Sequence, residues 1–242
     1  MIDIQKDQLT PLYEQVYADM FNKITSRHWK PGQCIPAEME LCEVYGVSRV
    51  TIRKAIEDLV RSGHLTRRRG KGTFVHLKPI ENKLSKFYSF SESLKSKGHD
   101  EVAEVLAFDT MIADEILIDK LKLKGHNVLV FKITRLRSVD DVPYAVETSY
   151  IPKAIVPDLT EAFVATNGLY NAMQQLNVVP NKATETFRAI SLGGLEARLL
   201  QQDLQVPVMS IERVTFCGDI HVEYCCSTVR GDFFSYTVEL GY

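Results

Sequence analysis

The chain has little of what metal centres, disulfide scaffolds and membrane anchors require. Its five cysteines, Cys34, Cys42, Cys217, Cys225 and Cys226, form no C-x-x-C pair and have no histidines nearby at zinc spacing. They read as reduced, mostly buried thiols, because disulfides are rare in the cytosol. The six histidines are scattered, so neither a metal site nor a catalytic triad can be assembled from them. No apolar run approaches the ~20 residues of a membrane span, and the N-terminus carries no signal-like apolar segment. These absences point to a cytoplasmic protein with no membrane partner, no metal and no cofactor. Internal repeats and low-complexity tracts are missing too. The single tryptophan, Trp29, reads as core filler in a small domain that needs large side chains to close its interior.

What is present suits a soluble protein of two domains. A length of 242 residues exceeds the usual size of one domain, and 45% hydrophobic with 25% charged residues is ordinary for a globular chain. The net charge of -2 is unevenly spread. Residues 1–76 hold 12 Lys+Arg against 9 Asp+Glu, a balance of +3, whereas the remainder holds 17 against 22, a balance of -5. Between Arg61 and Gly72 there are five basic residues and no acid, the electrostatic footprint of a polyanion partner or simply of a solvated face.

The stretch from Cys34 to Val75 carries the most information. Ser48 is a good N-cap, and Ile52, Ala55, Ile56 and Leu59 recur at the i, i+3, i+4, i+7 spacing of a buried helical stripe. Arg53, Lys54 and Glu57 fall on the other side, with Arg49 at the front edge. Upstream, Pro36 to Tyr45 has a short helical pattern that Gly46 can stop at positive φ, so the pair reads as a helix-turn-helix. Downstream, Gly63 to Val75 alternates as two short strands around a tip of two glycines after three consecutive arginines, a basic hairpin or wing. Thr10 and Pro11 predict the cap and first turn of an earlier helix running to about Arg27.

The words Ile35-Pro36-Ala37-Glu38, Gly46-Val47-Ser48-Arg49, Thr51-Ile52-Arg53-Lys54-Ala55 and Gly70-Lys71-Gly72-Thr73-Phe74-Val75 resemble, in order and spacing, the winged helix-turn-helix of the GntR family of bacterial transcription regulators. The resemblance implies operator contacts by Ser48, Arg49, Thr51 and Arg53, and approach of the wing-tip glycine to the minor groove. Glu38, Lys54, Arg67, Arg69, Gly70, Lys71 and Gly72 complete the candidate DNA surface. Many members carry an arginine where this chain has Met39, so one contact common among them is missing or moved.

After Val75 the pattern breaks, and residues 77–86 read as a linker. Beyond it, alternation predicts strands over 101–110, 127–137, 142–151, 184–190, 208–216, 221–230 and 234–240, the last three as a closing meander. Helix patterns cover 113–121, 157–176 with a break near Asn167-Gly168, and 195–204. The predicted class is α+β with a mainly antiparallel sheet, in three segments: a winged helix of three helices and a hairpin over 1–76, the linker, and a second domain over 87–242.

That second domain resembles the UTRA effector domain of the HutC subfamily, which has the chorismate-lyase-like fold. The matching words are Ser89-Phe90-Ser91-Glu92 with Lys97-Gly98, Thr134-Arg135-Leu136-Arg137, Pro143-Tyr144 to Pro152, Leu169-Tyr170, and Val222-Glu223-Tyr224 running into Arg230-Gly231-Asp232. The resemblance implies a pocket for a phosphorylated sugar lined by Ser91, Arg135, Arg137, Glu147 and Tyr170, to which Phe90 and Glu223 are added as candidates. Guanidinium forks can grip phosphate or carboxylate, and a carboxylate can accept hydroxyls or pair with an amine. Equally, Arg135 and Arg137 share one face of a strand and can be cross-strand partners of Glu147. Gly168 stands where a serine is usual, and Val229 where an aromatic is common. Arg230 and Asp232 read as fixing a turn.

Together these residues predict a homodimeric regulator that holds double-stranded operator DNA and responds to a small anionic metabolite such as a phosphorylated sugar or amino sugar. Release from the operator by the metabolite is the commoner arrangement in the resembled subfamily. The rivals are a chorismate-lyase-like enzyme, an activator responding to a non-phosphorylated ligand and a non-specific DNA binder.

Overall fold

The computed structural model describes residues 10–76, 80–83, 94 and 101–240, and the chain divides into two compact units, Met1–Lys78 and Pro79–Tyr242.

The first unit packs three helices, α1 (Leu12–Thr25), α2 (Glu38–Tyr45) and α3 (Arg49–Arg61), behind a hairpin of β1 (Leu65–Arg68) and β2 (Gly72–Val75). The stripe of α3 is the centre of the core: Ile52, Ala55, Ile56 and Leu59 are at most 1% exposed and pack with Val16 and Met20 of α1. Each large aliphatic side chain buried this way contributes roughly 1.5–3 kcal/mol. Gly46 ends α2 in the left-handed region (φ 63°), and the Ser48 hydroxyl then accepts from Thr51 N–H at 3.3 Å to start α3. Only three residues, Gly46 to Ser48, separate the helices. Trp29, Ile35 and Tyr45 fill the same core, as the composition requires. At the start of α1 the expectation needs correction: Thr10 does not cap it. Pro11 takes the cap position, and its carbonyl accepts from Glu14 and Gln15 N–H.

The second unit is built on one antiparallel sheet in the order β4-β5-β6-β9-β8-β7. Its strands are β4 (Glu101–Ile112), β5 (Leu129–Val139), β6 (Val142–Pro152), β7 (Lys182–Ser191), β8 (Pro207–Cys217) and β9 (Ile220–Arg230). Helices α4 (Glu115–Leu121) and α7 (Gly194–Leu199) cover parts of one face through the clusters around Leu117, Leu121 and Tyr224 and around Val146, Leu200 and Val208. Helices α5 (Glu161–Asn167) and α6 (Leu169–Gln175) pack with Phe131, Ile133 and Ile151 in a further cluster. Tight connections match their sequence signals: Asp140 and Asp141 both take positive φ in the β5–β6 turn, and Asp114 accepts from Leu117 N–H at 2.8 Å to cap α4.

Two expectations fail here. Residues 234–240 do not close a three-strand meander: β10 (Phe234–Thr237) leaves the sheet and pairs in parallel with β3 (Ile80–Lys83). At the turn before β10, Arg230 donates to both Asp232 carboxylate oxygens and to the Pro143 carbonyl. Because β10 pairs with Ile80–Lys83, 77–86 is not wholly a linker. Four residues are too few to display a period, so nothing in the chain announced β3. Among the described residues no helix is long and apolar enough to cross a membrane.

Candidate DNA-binding face and effector cavity

On the first unit the candidate DNA residues gather around one acid. Glu38, in the first turn of α2, accepts from Arg49 Nε at 3.0 Å and Arg53 Nη2 at 3.3 Å through a single oxygen, and its other oxygen faces Arg67 Nη2 at 3.6 Å. Thus α2, α3 and the wing each bring charge to the same spot. Burial works against ionising Glu38, but the hydrogen bonds from Arg49 and Arg53 prevail and hold its carboxyl below the usual range. All three guanidiniums remain about half exposed or more. Glu57 also approaches Arg67 Nη2, at 4.0 Å, but two carboxylates do not offset three guanidiniums, so the cluster stays cationic.

Other expected residues lie around this cluster or apart from it. Ser48 and Thr51 hydroxyls contact each other at 2.9 Å at the start of α3. Lys54 is elsewhere, its ammonium 3.5 Å from the centre of the Tyr13 ring on the flank of α1. In the wing, Arg68 lies over Phe74, 4.7 Å from the ring centroid, while Arg67 turns to Glu38, the alternation a strand imposes. Arg69, Gly70 and Lys71 form the exposed tip. Gly72 has φ 122°, and a Cβ there would meet Cys34 Sγ at 2.9 Å, so this glycine lets the wing lie close against the strand-like Cys34 segment. Met39 is 67% exposed beside Glu38, so an arginine there would stand in solvent without disturbing the core.

On the second unit, the strands of the sheet meet at a cavity of about 340 Å³. Residues of β4, β5, β6, β8 and β9 line it, with Glu185 of β7 at one side and the α5–α6 junction closing it. Arg135, Arg137, Glu147, Tyr170 and Glu223 all line it, as expected. Phe90 and Ser91 lie outside the described residues. Cross-strand register places Arg135 opposite Glu147, and Arg135 donates to Glu147 at 3.0 Å and Ser149 at 3.2 Å. Arg137 bridges Glu147 at 3.1 Å and Glu101 at 2.8 Å. Burial alone would raise the Glu147 carboxyl, yet the charges of Arg137 and Arg135 outweigh it and keep it low. Both readings of the arginines therefore meet at one place: they are cross-strand partners of acids, and they line the cavity.

Among the lining residues that the sequence did not single out are Glu101, Glu185, Arg213 and Ser227. Arg213 donates to Glu185 at 2.7 Å and to the Tyr170 hydroxyl at 3.3 Å, and Tyr170 donates to Glu223 at 2.7 Å. Their only signal was parity within strands whose register could not be known. Arg135 Nε is buried with no hydrogen-bond partner. Gly168 lines the cavity but does not offer its N–H there, because that group donates to the Val164 carbonyl at 2.8 Å.

Comparison with known proteins agrees with both halves. Residues 12–75 match the bacterial regulatory proteins of the gntR family, and residues 96–235 match the UTRA domain. The chain is 30% identical over 237 residues to the HTH-type transcriptional repressor NagR of Bacillus subtilis, spanning 97% of each. It is 34% identical over 208 residues to a probable fructoselysine utilization operon transcriptional repressor of Escherichia coli, spanning 85% of this chain and 84% of that one. The crystal structure of PhnF from Mycobacterium smegmatis superposes with a TM-score of 0.66 at 27% identity, over 93% of this chain and 99% of that one. A DNA-binding head of this type joined to this effector domain makes the chain a member of the GntR family of bacterial transcription regulators, of the HutC type, and not an enzyme.

Proposed function

We propose that the chain is a homodimeric repressor that holds operator DNA through α3 and the wing and lets go when a small anionic metabolite enters the cavity of the second unit. The observation that carries the DNA half is the convergence of Arg49, Arg53 and Arg67 on one exposed cationic face. Helix α3 presents its first turn there, as a recognition helix does in the major groove, and phosphate contacts come from the wing. The cavity supports the effector half. Its arginines are buried, hence weakly solvated, and exchanging a protein carboxylate for a ligand anion keeps each guanidinium paired. Related repressors named for fructoselysine utilization and for mannosyl-D-glycerate transport and metabolism favour a sugar-derived metabolite.

The test is a footprint on DNA flanking the chain's own gene, followed by a release screen with phosphosugars, free sugars and carboxylates. Protection of a discrete site and its loss with an anionic compound are expected. Equal affinity for scrambled DNA would overturn the operator reading, and release by uncharged compounds alone would overturn the anionic effector.

A further inference from the structure

Val50, in the first turn of α3, is 79% exposed. An α-helix turns about 100° per residue, so Val50 stands diametrically opposite the buried stripe of Ile52, Ala55, Ile56 and Leu59. It is thus the side chain that leaves the start of α3 straight away from the core. Around it the helix is charged: Arg49 precedes it, Arg53 and Lys54 follow at i+3 and i+4, and Glu57 lies two turns on. The fold gains little from an apolar residue at this point. A β-branched side chain is a poorer helix former than the lysine, arginine and glutamate around it, and in solvent it recovers no burial. A scattered exposed hydrophobic residue needs no explanation, but this one occupies the centre of the face that α3 would bring to DNA.

We propose that Val50 is a specificity-determining residue that reads the 5-methyl group of a thymine in the major groove. The inference rests on α3 being the recognition helix. Thymine is the base that presents a methyl group on the floor of that groove, and an apolar side chain is what recognises it. The guanidiniums beside Val50 suit the other features of the duplex, phosphates and the acceptor edge of guanine. Arg49 and Arg53 are drawn to one side of Val50 by Glu38, at 3.0 Å and 3.3 Å, which leaves the isopropyl group clear at the front of the helix. The Ser48 cap fixes the turn that carries it, and a β-branched side chain has little rotamer freedom to lose on contact. A second copy of the chain is a poor occupant of this face, because it would bring like charge against Arg49, Arg53 and Arg67. A duplex brings phosphates to the cations and methyl groups to the valine between them.

The probe is the site footprinted beside the chain's own gene, with each thymine replaced in turn by deoxyuridine, which lacks that methyl group alone. Full-length protein is titrated with these duplexes. For wild type, deoxyuridine at one thymine of each half-site should weaken binding about fourfold, the worth of one buried methyl-sized group. Val50→Ala and Val50→Ser should bind the unmodified site more weakly and show a penalty of about twofold or less at the same thymine, the coupling expected of groups in contact. Both variants should keep the wild-type salt slope and affinity for scrambled DNA, since no charge is removed. Both should also melt with wild type, because the side chain is exposed; a fall in melting temperature would give the valine a structural role instead. If no thymine is sensitive, or the sensitive one keeps its full penalty in both variants, Val50 does not read a methyl group, while the protected site stands as the operator. A protein that protects no discrete site overturns the operator reading and this inference together.

Discussion

Glu38 Oε2 accepts from Arg49 Nε at 3.0 Å, so the first arginine of α3 is aimed by the helix that precedes it. The same oxygen receives Arg53, and the carboxylate also faces Arg67 of the wing. Half-exposed ion pairs of this kind are worth roughly 0–1 kcal/mol each. They are strong enough to bias side-chain direction and weak enough to be exchanged for phosphates or base edges. Glu38 thereby acts as a positioning residue on a face where cations outnumber acids.

Replacing Arg49 or Arg53 with alanine should weaken binding to a cognate operator by about 1–3 kcal/mol, the worth of a good base or charge-assisted contact. Removing the organiser should act differently. Glu38→Gln leaves every cation in place but lets the arginines wander, so affinity for scrambled DNA should rise while the ratio of specific to non-specific binding falls. Fluorescence anisotropy with both DNAs measures each effect. Unchanged operator binding by Arg49→Ala and Arg53→Ala would remove α3 from the role of recognition helix.

The wing should contribute through charge and not through sequence. Arg67→Ala and Lys71→Ala should weaken specific and scrambled DNA alike, and each lost phosphate contact should lower the salt slope by about one unit. Arg68 is set over the Phe74 ring, so Arg68→Ala should alter the slope less than Arg67→Ala does. Slopes identical to wild type in all three variants would mean that the wing does not meet the backbone of the duplex.

The DNA-binding half was legible because its signals are local. Ser48, Gly46 and the Ile52-Ala55-Ile56-Leu59 stripe each act within a turn or two of helix, and short-range chemistry is written in short-range sequence. The cavity was half legible. Arg135, Arg137 and Glu147 stood on strands joined by a hairpin, whose pairing the Asp140-Asp141 turn reveals. Arg213 and Glu185 lie on strands separated by α7, and their relation to Glu223 depends on β9 lying between β6 and β8, a long-range pairing that no local pattern encodes. The departure of β10 to pair with β3 has the same origin.

The buried pairs make stability depend on acid. The Glu147 carboxyl is held below its ordinary value of 4.5 by Arg137 and Arg135 despite burial. Its stabilisation is therefore complete above about pH 4.5 and is lost as pH falls through the depressed folded-state value. At neutral pH Glu147→Gln should destabilise the second unit by about 3 kcal/mol or more, because it strands buried guanidinium charge. The gap in melting temperature between wild type and variant should hold steady from pH 7 to about 5 and narrow below that. A gap that widens in acid would contradict this pairing.

Gly168 offers the last test, since it stands where a serine is usual in the resembled domain. Restoring that serine would bring a hydroxyl to the cavity wall, and on chemistry alone it should help hold an anion. The backbone argues otherwise. Gly168 sits at φ 77°, ψ 156°, a region open in practice only to glycine, between the end of α5 and the start of α6. Its N–H closes α5 on Val164 and its carbonyl accepts from Ala172 N–H at 3.0 Å in α6, so the peptide cannot turn without loosening both helices. A side chain there should cost about 1–3 kcal/mol of strain. Gly168→Ser and Gly168→Ala should therefore lower the melting temperature together, and the serine should bring no gain in affinity for a phosphosugar over the alanine. A serine variant that melts with wild type and binds the anion more tightly would show that the junction can relax, and that the glycine is a matter of ligand choice and not of backbone geometry.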